Sequence, residues 1–93
     1  MDTLIEKEII PEGLLDELLD NVYSIVLYND DHNTFEHVIN CLRKYCKHTL
    51  EQAEQCAMIV HFNGKIAVKN GAYKQLKPIS ESLLEEGLSV KIE

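Results

Sequence analysis

Ile25-Val26-Leu27-Tyr28-Asn29-Asp30-Asp31-His32-Asn33-Thr34-Phe35-Glu36 constrains the fold more than any other stretch, because an apolar strand runs straight into an acidic turn and a helix start. Tyr23, Ile25 and Leu27 alternate with Ser24, Val26 and Tyr28, and this β-branched and aromatic content fits a pleated, largely buried strand. The strand stops at Asn29. Asn29-Asp30-Asp31 carries turn-favouring side chains, and Asn33 followed three residues later by Glu36 reads as a capping box. Two carboxylates and a carboxamide therefore meet at a strand-to-helix corner. Taken alone, that corner is either the rim of a binding site or a solvated acidic turn with a helix cap.

Beyond the corner, Phe35, Val38, Leu42 and Tyr45 recur at helical spacing, with Ile39 and Cys46 widening the stripe, so a helix is expected from Thr34 to about Cys46. Thr49 and Gln52 form a second capping box. The helix it opens, Leu50 to about Phe62, carries Ala53, Cys56, Ala57 and Val60 on one face, and Asn63-Gly64 ends it. Ile66 and Val68 read as a short strand and Asn70-Gly71 as a turn. Ala72, Leu76, Ile79 and Leu83 then mark a third helix, in which Pro78 predicts a kink or a break. After Gly87, Leu88, Val90 and Ile92 alternate as a final strand. The order strand-helix-helix-strand-helix-strand predicts a compact two-layer α/β (α+β) domain, three helices packed on a small three-stranded antiparallel sheet.

Charge divides the chain in two. Met1 to Asn21 holds seven acids and one lysine, whereas residues 22–93 are nearly neutral, with nine acids against eight Lys and Arg. Residues 1–21 are expected to be a flexible acidic leader, with Leu14, Leu15, Leu18 and Leu19 at helical spacing, and residues 22–93 the core domain. A near-neutral body under an acidic leader disfavours nucleic acid. With 93 residues, such a chain buries roughly 60 to 70% of its unfolded surface, so a core needs neither metal nor disulfides. The start lacks the basic region and apolar run of a signal peptide, and no stretch approaches the roughly 18 apolar residues of a membrane span. A cytoplasmic monomer without membrane contact is expected.

Few constellations carry chemistry. Cys41, Cys46 and Cys56 lack a CxxC spacing and fall in apparent helices, which suits reduced packing thiols. His32, His37, His48, His61 and these thiols show no compact ligand spacing, so no metal and no cofactor is expected. Neighbouring Asp30 and Asp31 point differently and make a poor acid/base pair; no G-x-S-x-G, P-loop or glycine-rich nucleotide turn is present. The chain does not read as an enzyme. His61, at the end of the apolar run Ala57-Met58-Ile59-Val60, is either a helix-capping histidine or a site residue.

The strand into Asn29-Asp30-Asp31, the helix start Asn33-Thr34-Phe35-Glu36-x-Val38, and Ala53 leading to Val60-His61-x-x-Gly64-Lys65 together resemble the ClpS adaptors of ATP-dependent Clp proteases, over about Tyr23 to Glu93. The resemblance implies an adaptor that holds N-degron substrates by their first residue and delivers them to a Clp AAA+ unfoldase. A free α-amine is a cation with several donors, and Asn29, Asp30 and His61 would supply its acceptors. Asp31 and Asn33 would shape the loop, and Phe35, Val38, Ala57, Val60 and Leu88 would line a pocket for a bulky hydrophobic side chain. Expected partners are the N-terminal domain of a ClpA-like or ClpC-like unfoldase and peptides starting with Leu, Phe, Tyr or Trp, with Ile and Val also open. Ala57 departs from the family's common form, where a methionine guards the pocket, and Phe35 replaces a frequent methionine. An alternative reading keeps the fold as an unfoldase-docking or regulatory domain without amine recognition.

Overall fold

The computed structural model describes residues 23–93; the acidic leader, residues 1–21, and Val22 lie outside the described residues. Strand β1 (Tyr23–Tyr28) is the middle of three, in the order β2-β1-β3, antiparallel to both neighbours. Its run of buried residues, Ile25, Val26 and Leu27, explains the central place, because an edge strand would leave part of that surface wet.

Helix α1 (Phe35–Tyr45) follows the corner, but its cap is not the expected one. The hydroxyl of Thr34, not the amide of Asn33, accepts the His37 N–H at 3.0 Å, because the Asn33 side chain is engaged by Asp30 and Gly87. Helix α2 (Leu50–Asn63) opens with the Thr49/Gln52 box as expected, each side chain accepting from the other's backbone. It closes at Gly64, whose φ of 95° lies in the left-handed region that favours glycine.

Strand β2 (Lys65–Gly71) runs through Asn70 and Gly71, which were expected to turn. Both are recruited by pairing: Asn70 lies opposite Ser24 and accepts its hydroxyl at 2.6 Å, and Gly71 lies opposite Tyr23. Helix α3 (Tyr73–Glu85) continues past Pro78, so of the expected kink or break, the break does not occur. An internal proline costs about 3 kcal/mol. Leu76 before it and Leu83 after it are fully buried, and two leucines at about 1.5–3 kcal/mol each outweigh that cost. Strand β3 (Ser89–Ile92) completes the sheet.

Helix α2 packs against β2, α3 against β1 and β3, and α1 between the other two helices. One core results, with Val38 and Leu42 of α1, Ala53 and Val60 of α2, and Leu76 and Leu83 of α3 meeting Ile25 and Leu27 of β1. The two-layer α+β arrangement read from the sequence is the one observed.

Candidate functional site

The site begins where β1 leaves the sheet. Asn29 donates its backbone N–H to the Gly64 carbonyl at 2.9 Å, and Gly64 lies three residues beyond His61 at the end of α2. One backbone bond therefore fixes the corner after β1 against the helix end that carries His61.

Asp30 is the hub of the loop. Its Oδ1 accepts the backbone N–H groups of His32 at 2.9 Å and Asn33 at 3.0 Å, and its Oδ2 accepts the Ser89 hydroxyl at 2.9 Å. The Asn33 amide donates to both carboxylate oxygens and to the Gly87 carbonyl at 2.9 Å, which joins the loop to the turn between α3 and β3. Burial pushes the Asp30 carboxyl up, but the bonds from Ser89, Asn33 and His32 outweigh it and hold the pKa below the usual carboxylate range. A negative charge is thus fixed beside the cleft. Among the described residues, the Asn29 carboxamide, the Asp31 carboxylate and the His61 ring make no side-chain hydrogen bond.

These groups edge a cleft of about 320 Å³. All ten residues singled out in the sequence line it: Asn29, Asp30, Asp31, Asn33, Phe35, Val38, Ala57, Val60, His61 and Leu88. Val38, Ala57, Val60 and Leu88 are buried and form its apolar walls. Phe35, expected to line the pocket, is 47% exposed and stands at its mouth, its ring centroid 5.5 Å from that of His61 in an edge-on arrangement. Leu27 and Tyr28 also line the cleft and escaped the sequence reading, although their place directly before Asn29 was a signal. Ser89, which holds Asp30, is 59 residues away and left no local signal.

The three thiols are free, Cys41 and Cys46 buried and Cys56 half-buried. Burial pushes all three up, Cys46 to about 11, so they are poor nucleophiles at neutral pH. No helix among the described residues is long and apolar enough to cross a membrane.

A three-helix, three-strand domain with a cleft that is apolar inside and rimmed by acceptors has the build of a small binding module. Residues 19–91 match the family described as "ATP-dependent Clp protease adaptor protein ClpS". The chain is 38% identical over 69 residues to the ClpS adapter of Thermosynechococcus vestitus, covering 73% of each protein. To that of Synechocystis sp. it is 36% identical over 69 residues, covering 73% of this chain and 70% of the relative. It is also 32% identical over 94 residues to the human E3 ubiquitin-protein ligase UBR1, a match that takes in 94% of this chain but 5% of that protein. Agrobacterium tumefaciens ClpS2, solved bound to L-phenylalaninamide, shares the fold with a TM-score of 0.67 at 21% identity, over 80% of this chain and 96% of that one. The chain belongs to the ClpS family, the non-catalytic adaptors of ATP-dependent Clp protease.

Proposed function

We propose that this adaptor reads N-degrons: it takes the free α-amine of a substrate at Asn29 and His61, buries the bulky first side chain in the cleft, and delivers the substrate to a Clp unfoldase. The observation that carries this reading is that Asn29 and His61, two side chains able to accept, line one apolar cleft and are tied together by the Asn29–Gly64 bond. An ammonium group offers only donors, so it matches a rim of acceptors. The charge held on Asp30 favours a cation, and Asp30 assists from behind while Asn33 fixes its position. The ligand of the Agrobacterium relative, an aromatic amino-acid amide, has the chemistry that such a rim and cleft would suit. On this reading the chain acts in the cytoplasm as a monomer, docking on a ClpA-like or ClpC-like unfoldase.

Anisotropy of a C-terminally labelled peptide beginning with Leu, beside its N-acetylated twin, tests the proposal. Binding is expected only for the free amine, and the Asn29→Ala, His61→Ala double variant loses it. If no peptide with a Leu, Phe, Tyr, Trp or Ile start binds, the docking-domain reading takes over; the exposed Met58, Ile59 and Phe62 on α2 would then be the surface to mutate.

A further inference from the structure

Outside the cleft, a groove runs between α3 and the free edge of β3. Tyr73, Lys77 and Leu84 line it from one stripe of α3, and Val90, Lys91 and Ile92 line it from β3, around a volume of about 410 Å³. It continues into a second hollow of about 390 Å³ that shares Leu84, Val90 and Lys91. Tyr73 is 44% exposed and Leu84 51%, so two large apolar side chains face water along it. The β3 edge adds open backbone. Ser24 and Glu93 exchange both of their backbone hydrogen bonds at 2.8 Å, so by the alternation of an antiparallel pair Val90 and Ile92 turn their N–H and C=O groups away from β1. Among the described residues, nothing covers that edge.

We propose that the chain's own acidic leader fills this groove, with Leu14, Leu15, Leu18 and Leu19 set against Tyr73 and Leu84 and the acids beside them turned towards Lys77 and Lys91. Place selects this occupant first. β1 starts at Tyr23, whose ring packs edge-on against that of Tyr73 with centroids 5.6 Å apart, so the leader joins the fold at one end of the groove. Reach agrees. Leu19 precedes Tyr23 by four residues, and at about 3.3–3.6 Å per residue it lies no more than roughly 14 Å from it. Tyr73 to Leu84 spans about 17 Å of helix, which the earlier leucines can cover. So short a tether holds the leader at an effective concentration in the mM range, and a contact too weak to retain a separate chain suffices.

Charge points the same way. The groove holds Lys77 and Lys91 against Glu81, which pairs with Lys77 at 3.4 Å. The leader carries seven acids and one lysine, and at helical spacing Asp16 and Glu17 flank its leucine stripe. A second copy docking groove to groove would instead set lysine against lysine.

Heteronuclear NMR of the full chain tests the proposal. In a variant carrying Leu14→Ser, Leu15→Ser, Leu18→Ser and Leu19→Ser, amide shifts are expected to move at Tyr73, Leu84, Val90, Lys91 and Ile92 and to stay fixed at Met58 and Phe62 on α2. The Val90 and Ile92 amides then exchange with solvent about tenfold faster. Methyl NOEs from the leucines to the Tyr73 ring, expected in the wild type, vanish. Leu84→Ser, or Lys77→Glu with Lys91→Glu, releases the leader from the other side, read as a fall in the nitrogen-15 heteronuclear NOE of residues 14–19. The replaced body side chains are exposed, and circular dichroism verifies the fold of each variant. Groove shifts that ignore the leader substitutions overturn the proposal. Shifts that fade on dilution, with a two-chain mass in sedimentation, give the groove to a second copy and overturn it as well.

Discussion

Single atoms decide most of what the cleft can do. Ala57 is 1% exposed and lines the cleft, so a longer side chain there takes space directly from a ligand. Ala57→Met should weaken binding of Ile- and Val-starting peptides more than Leu-starting ones, because a β-branch sits nearest the added atoms; competition anisotropy with matched peptides would expose equal losses, which would count against this. Asn33→Ala removes donors from Asp30 and hands the exposed Gly87 carbonyl to water, an expected loss of about 0.5–1.5 kcal/mol in urea unfolding. Asp30 itself sets an acid limit. Its folded pKa lies below the unfolded value of about 3.9, so its contribution is complete above that value and is lost as pH falls through the folded one. The stability gap between wild type and Asp30→Asn should therefore hold from about pH 7 to 5 and narrow towards about pH 2.

At the scale of elements, local chemistry was legible wherever it was sufficient. Thr49 and Gln52 form the box their spacing announces, and Thr49→Ala should cost about 1 kcal/mol in thermal or urea unfolding. Asn33 and Glu36 have the same spacing and form none, because contacts with Asp30 and with Gly87, 54 residues away, take the Asn33 amide first. Asn70-Gly71 misled for a related reason, a local turn preference that strand pairing overrides, and at Pro78 packing keeps the helix from breaking. The cleft was legible only through the family resemblance, since Val38, Ala57, Val60 and Leu88 taken by themselves read as ordinary apolar positions of their elements. Its supports, Ser89 and Gly87, were not, since nothing near them in the chain refers to Asp30.

The molecule as a whole hangs on β1, which pairs with both other strands and sends Ile25 and Leu27 into the core shared by all three helices. Ile25→Ala should cost about 2–5 kcal/mol, a large part of the 5–15 kcal/mol expected of a domain this size. Tyrosine fluorescence and far-ultraviolet circular dichroism should report the same transition, since no element of the described fold has a core of its own; separate transitions would refute that. The same strand delivers Asn29 to Gly64, so the cleft's two halves are already joined before a ligand arrives. A newcomer finds nothing to assemble. On the proposed reading, capture of different first residues should then proceed at similar speed, and the sorting of one from another falls to how long each stays.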